Sequence, residues 1–329
     1  MLRTLAVTAF ILIGMVSGTI ARADSDMFSG KTITYVVATK PGGGYDAMGR
    51  LVAKYLELHL PGSQVIVKNV PGAGHLIGAQ TIYASEPDGL TIGTFNTGVI
   101  YSQLRGSLEG NIDLSKFSWI GKAASETRVI MVSAKSDLKS VDDFKKHAGQ
   151  IKFAVNGKGS PQHFEAATIA KTMGWDIKVI FGFEGTEGEM SLLRGEVDAI
   201  IGSRSSLQSY VDNGQGRFIL QTGGKPDAEL PQFEKLATTE RAKAIVALIN
   251  SQALFARVTA GPPGIPDDRL KVLRSAYMAA VTDPGFVAEA QKAGLDIDPA
   301  GGEDMAKHIE AALKQPPETI ELLKSIMGD

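Results

Sequence analysis

Short apolar runs alternate with segments of helical period through the first two-thirds of the chain. Ile33–Ala38, Val65–Val67, Thr91–Phe95, Val129–Val132, Ile151–Val155, Val179–Phe181 and Val197–Ile201 are too short for helices and show little polar alternation. That texture predicts strands covered on both faces, as in parallel sheets. After the first run, Met48, Leu51, Val52, Tyr55 and Leu56 fall on one stripe. They predict a helix over Ala47–His59 packed against a sheet. The repeated β-α-β order predicts an α/β fold with right-handed crossovers. From Asp267 the texture changes to consecutive helices. Leu270, Leu273, Tyr277 and Ala280 form one stripe ended by Asp283-Pro284, and further helices are expected over Phe286–Ala293, Asp304–Leu313 and Glu318–Met327. Proline at such starts and glycine at such ends are ordinary helix punctuation.

Two glycine-rich corners interrupt this pattern. Lys40-Pro41-Gly42-Gly43-Gly44-Tyr45-Asp46 joins the first strand to the first helix, and Pro71-Gly72-Ala73-Gly74-His75 follows the second strand. Consecutive glycines lose much backbone entropy on folding, so such corners imply that something approaches the main chain closely. A helix start also exposes unpaired N–H groups at a positive dipole end, a seat for an anion. Asp46 fits a helix cap as well as a ligand contact. A third stretch, Asn156-Gly157-Lys158-Gly159-Ser160-Pro161-Gln162-His163, reads as a capped start, with Ser160 as N-cap and Pro161 as first helical residue. In a fourth, Phe183 ends a strand, and Thr186 with Glu189 forms a capping-box pattern.

The first residues carry a leader pattern: Arg3, an apolar core over Leu5–Ile20, and Ala21-Arg22-Ala23 as a small-x-small site. Cleavage after Ala23 would leave 306 of the 329 residues and move the formal charge from −2 to −4. Such a length predicts two lobes. The charge balance predicts neither nucleic acid nor an anionic membrane as partner. The chain has no cysteine, which excludes disulfides, thiolate metal sites and a lipidated N-terminal Cys.

Known reaction motifs are missing. Arg50-Leu51 stands where a P-loop needs Lys-Ser/Thr, and Ala47 stands where a dinucleotide fingerprint needs its third glycine. There is no G-x-S-x-G elbow and no H-E-x-x-H, and His59, His75, His147, His163 and His308 lack metal-ligand spacing. No catalytic residue, metal site or cofactor is expected.

The residues do carry a family resemblance. Ile33–Asp46, Arg50–Ala53, Asn69–Gly74, Pro87-Asp88-Gly89, Gly159-Ser160-x-x-His163, Gly195–Asp198, Pro262–Pro266 and Asp283-Pro284-x-Phe286 occur in order over nearly the whole mature chain. Together they resemble the solute-binding receptors of tripartite tricarboxylate transporters, the TctC or Bug type. The resemblance implies a periplasmic, monomeric two-lobe clamp of periplasmic-binding-protein type. Each lobe would be a mainly parallel sheet flanked by helices. It would capture a small carboxylate in the cleft between them and present it to the membrane permease subunits. It further implies residues 1–23 as signal peptide, residues 24–121 plus 222–329 as one lobe and 122–221 as the other, with hinges near Ser118–Ala124 and Ser203–Thr222.

Carried over by position, the ligand set is Gly43, Gly44, Tyr45 and Asp46; Gly72, Ala73, Gly74 and His75; Asn96 and Thr97; Gly159, Ser160 and His163; and Phe183. Main-chain amides, rather than lysines or arginines, are expected to hold the carboxylate. Tyr45 stands where the family commonly has Thr, and His75 where it commonly has Gly. The Phe183-Glu184-Gly185 stretch replaces a frequent Tyr-x-Gly and adds a negative charge, and Gly223–Leu230 lacks the usual Arg. These departures argue against a citrate-like ligand. A secreted α/β hydrolase and a ligand sensor for a signalling partner are the alternatives to transport.

Overall fold

A computed structural model describes residues 26–108, 112–253, 255–295 and 297–327. The leader and its cleavage site lie outside these. Strands β1 (Thr32–Val37), β2 (Gln64–Asn69), β3 (Thr91–Thr94), β4 (Ser118–Lys122), β10 (Val258–Gly261) and β11 (Ala300–Gly301) form one sheet in the order β11-β4-β10-β3-β1-β2. Strands β5 (Arg128–Ser133), β6 (Ile151–Ala154), β7 (Ile177–Ile180), β8 (Ala199–Ser203) and β9 (Gly216–Thr222) form a second, ordered β7-β6-β8-β5-β9. Helices flank both, so the two-lobed α/β architecture stands.

The sense of the strands differs from the expectation of mainly parallel sheets. β1 runs parallel to β2 and β3, but β10 and β11 are antiparallel to their neighbours. In the second sheet β6 is parallel to β7 and β8, whereas β5 is antiparallel to β8 and β9. Both sheets are therefore mixed. The cause of the misreading is visible in β5. Ile130 and Val132 enter one core while Val129 and Met131 enter another. A strand covered on both faces reads as an unbroken apolar run whichever way its neighbours point.

The outward crossing between the sheets overlaps the expected Ser118–Ala124, whereas the return comes after the expected Ser203–Thr222. Ser118–Lys122 is itself a strand of the first sheet, and the outward crossing is residues 123–127. Helix Arg204–Asp212 and β9 belong to the second sheet, and the return runs through residues 223–257. The largest apolar core is shared: it holds Val36 and Ala38 of the first sheet with Ile130 and Phe153 of the second. Tyr101 of helix Ile100–Arg105 meets Phe164 of helix Pro161–Met173 with ring centroids 4.1 Å apart. On the far side of the first sheet, helices Gly44–His59 and Asp267–Thr282 bury Val52, Leu56, Leu273 and Tyr277 in a core of their own.

Candidate binding site

The first glycine corner opens into a cavity of about 200 Å³ between the two sheets. Gly43 is the N-cap of helix Gly44–His59, in extended conformation, and no side chain caps that start. Asp46 does not enter the cavity. Its carboxylate accepts hydrogen bonds from the Gly42 N–H at 3.0 Å, from Arg50 Nε at 3.0 Å and from Asn69 Nδ2 at 2.8 Å. Burial alone would push this carboxyl up, but the three donors and the Arg50 charge hold it below the usual range. Asp46 thus fastens the corner to β2 while Gly43, Gly44 and Tyr45 line the cavity.

Two more helix starts reach the same space. Thr186 is the N-cap of helix Glu187–Arg194 and Ser203 the N-cap of helix Arg204–Asp212, and neither makes a side-chain cap hydrogen bond. Both line the cavity, as do Ser206 and Asn156. The capping box expected of Thr186 and Glu189 does not form: Thr186 makes no side-chain cap, and Glu189, whose carboxylate accepts from its own backbone N–H, lines the cavity. Each uncapped start leaves N–H groups without an intrahelical partner. Three of them, from both sheets, surround one cavity.

Beneath this wall lies a buried charge quartet. Arg128, which lines the cavity, binds Glu165 through Nε at 3.0 Å and Nη2 at 2.5 Å and approaches Glu126 at 3.5 Å. Arg257 meets Glu126 at 2.8 Å, and its Nη2 lies 3.2 Å from the hydroxyls of Ser203 and Ser206. Burial opposes the Arg128 charge, but the two glutamates more than offset it and raise its pKa. The Arg257 guanidinium sits 3.9 Å from the Tyr45 ring centroid, and Tyr45 meets His75 edge-on at 4.8 Å. Burial, then the charges of Arg257 and Arg128, lower the His75 pKa to about 3. His75 is therefore neutral at physiological pH.

Of the residues expected at the ligand, Gly43, Gly44, Tyr45, His75, Asn96 and Phe183 line the cavity. Asp46, Gly72, Ala73, Gly74, Thr97, Gly159, Ser160 and His163 are not among its lining residues. The second corner and the Ser160 helix start do face one another, but they touch. A Cβ placed on Gly74 would stand 2.8 Å from Ser160 Cβ, and one on Gly98 2.4 Å from Pro161 Cγ. Ser160 accepts from the His163 N–H at 3.2 Å, and His163 Nδ1 accepts from the Gly159 N–H at 3.1 Å. That helix start is capped by its own residues. The Thr97 hydroxyl donates to the Phe255 carbonyl at 2.9 Å, and Asn96 Oδ1 accepts from Gly98 N–H at 2.7 Å.

Sequence reasoning missed Arg128, Arg257, Glu126 and Glu165, and also the Ser203–Ser206 start. Arg128 and Glu126 stand just before an apolar run and Arg257 just before another, where charges usually mark solvated strand ends. Only their convergence from distant segments makes them a cluster. Arginine is thus present at the cavity, although its charge is already matched.

The model of the tripartite tricarboxylate transporter family receptor matches residues 48–324. A protein encoded in the tcbD-tcbE intergenic region of Pseudomonas sp. (strain P51) is 26% identical over 304 residues, covering 90% of this chain and 87% of that one. Among solved structures, the periplasmic binding protein BugD aligns with a TM-score of 0.75 at 21% identity, covering 90% of this chain and 97% of that one. MatC from Rhodopseudomonas palustris, solved with bound malate, aligns at 0.72 and 16% identity, covering 89% and 99%. At such identities the structural likeness speaks for the fold alone, a two-lobed α/β architecture. The family match spans most of the sequence, and this chain belongs to the tripartite tricarboxylate transporter family of solute receptors.

Proposed function

We propose that this receptor captures a small carboxylate in the cavity between its sheets and delivers it to the membrane subunits of a tripartite-type permease. The observation that carries the reading is the convergence of three uncapped helix starts, at Gly43, Thr186 and Ser203, on that cavity. Each dipole end favours an anion by roughly 0.3–1 kcal/mol. Each charge-assisted hydrogen bond adds roughly 1.5–3 kcal/mol. A few such contacts, less the ordering cost, reach the ~8 kcal/mol of micromolar affinity. A volume of about 200 Å³ equals several water molecules at ~30 Å³ each, which suits a small acid and excludes a polymer. The malate bound in MatC is an acid of that scale.

Within this reading the ligand set is narrower than the sequence suggested: Gly43, Gly44, Tyr45, His75, Asn96 and Phe183 contact it. The corner at residues 72–74 and the Ser160 start close the lobes on each other. The lobes pivot at residues 123–127 and 223–257. The protein is exported to the periplasm, its leader is cleaved after Ala23, and one chain supplies the whole cavity as a monomer.

Thermal unfolding against a panel of mono-, di- and tricarboxylates tests the proposal. At 100-fold excess over Kd a true ligand contributes about 2.7 kcal/mol, a rise in Tm of roughly 4 °C. A panel in which no acid moves Tm would overturn it.

A further inference from the structure

The lining of the cavity is uneven in charge. Gly44 stands against Ser206, close enough that a Cβ on Gly44 would meet the Ser206 hydroxyl, with Arg128 and Ser203 in the same lining. Glu189 and Tyr210 also line the cavity, with the apolar Ile200 and Leu207. Burial, then the Glu189 charge, raises the Tyr210 hydroxyl's pKa.

The charges on this wall do not balance. Arg128 is matched: with Arg257 it faces Glu126 and Glu165, two cations against two anions, all buried. His75 is neutral, and no lysine lines the cavity. Among the described residues no cation pairs with Glu189, whose only partner is its own backbone N–H. Burial raises its pKa to about 6, so at neutral pH it is still mostly ionised. Glu189 is the charge the cavity leaves uncompensated. A second carboxylate placed there would meet a like charge in a half-buried setting, and an ammonium would meet its complement.

The helix supplies a length. Ser206 and Tyr210 are four residues apart on Arg204–Asp212, about one turn or ~5.4 Å. A ligand held by its carboxylate beside Gly44 and Ser206 reaches Glu189 with a group several bonds away, not with one on the adjacent carbon.

We propose that Glu189, with Tyr210 in the same lining, selects carboxylates whose far end carries a protonated amine, an ω-amino acid bound with its carboxylate at the Gly43–Gly44 amides and its ammonium at Glu189. This specificity rests on the carboxylate reading of the same cavity. Calorimetric titration with γ-aminobutyrate, butyrate, succinate and malate, on the parent and on Glu189→Gln, tests it. In the parent, γ-aminobutyrate binds at least 10-fold tighter than butyrate or succinate. In Glu189→Gln that advantage falls to within about threefold, while succinate binds no worse. Equal or tighter binding of succinate or butyrate by the parent overturns the selection, and the parent data decide this even if the variant folds poorly. An advantage for γ-aminobutyrate that survives Glu189→Gln also overturns it. Binding of malate but not of γ-aminobutyrate overturns the amine and leaves the carboxylate reading intact. Failure of every probe, together with a silent carboxylate panel, removes both.

Discussion

The corners after β1 and β2 look alike in sequence, end adjacent parallel strands, and have opposite fates. At the first, glycine provides space: Gly43 has φ −91°, and Gly44 is helical, yet a Cβ on Gly44 would lie 2.8 Å from Arg257 Nη2 and closer still to the Ser206 hydroxyl. At the second, glycine provides conformation: Gly72, Ala73, Gly74 and His75 have φ of 129°, 46°, 60° and 79°. The close approach there is to Ser160 and Pro161, not to a ligand. A glycine run therefore announces intimate contact with its backbone, but not whether the visitor is a solute or the other half of the same chain.

Alanine substitutions separate these roles and should have the largest effects. Gly44→Ala introduces no backbone strain, so its penalty is overpacking, about 1–3 kcal/mol. The expected readout is a 10- to 100-fold loss of carboxylate affinity, largely restored by adding Ser206→Gly. Gly74→Ala combines left-handed strain of roughly 1–2 kcal/mol with the Ser160 contact. Urea unfolding should report a loss of about 2–4 kcal/mol, and trimming Ser160 should not recover it. If Ser206→Gly rescues nothing, or Ser160→Gly, which removes the contacting Cβ, rescues Gly74→Ala, the distinction between space and conformation is wrong.

Much of the scaffold was legible because burial leaves a mark on the chain. Every apolar run named as a strand falls on a strand to within two residues, and the four helices after Asp267 occupy the stretches their stripes predict. β4, β9 and β10 escaped because Lys122, Arg217, Gly216 and Gly261 dilute short segments, and β11 because it is only two residues long. Strand sense, the return crossing and the charge quartet were not legible for a common reason: each depends on which distant segments meet. Arg257 and Glu126 are 131 positions apart, and nothing local tells either that it will be buried. The first corner was found because its glycines signal locally. Of the two uncapped starts that complete the cavity, that at Thr186 was read as a capped start and that at Ser203 was not singled out, since nothing local shows that neither side chain makes the cap hydrogen bond.

His75 joins the two corners: it ends the second and touches Tyr45 of the first. It sits at positive φ, the conformation that explains a glycine preference at this position. Its folded pKa of about 3 lies below the ordinary 6.5, so the unfolded chain binds more protons between those values. The stability this contributes is complete above pH 6.5 and declines as pH falls toward 3. Opening of the corner limits the penalty, which should be on the order of 1–2 kcal/mol over that range. Thermal melts of the parent and of His75→Asn should differ most at pH 7.5 and converge or cross as the buffer is acidified. Parallel curves would mean that His75 protonates freely, and that the two corners are not joined through a dry contact.

The weakest link between the first corner and the second sheet is Lys40 to Glu187, 2.8 Å apart with both side chains close to half exposed. The bond holds the Lys40 pKa above and the Glu187 pKa below their usual values, but water and salt reach both groups. Gly185 passes the Lys40 stem closely enough that a Cβ there would lie 3.2 Å from Lys40 Cβ, so backbone packing holds this seam independently of the charges. Lys40→Ala should therefore weaken carboxylate binding by no more than ~3-fold at low salt and not measurably at 0.5 M salt. A larger loss, or one indifferent to salt, would make this surface pair part of lobe closure. The space-providing corner would then be held from outside as well as from the buried quartet beneath it.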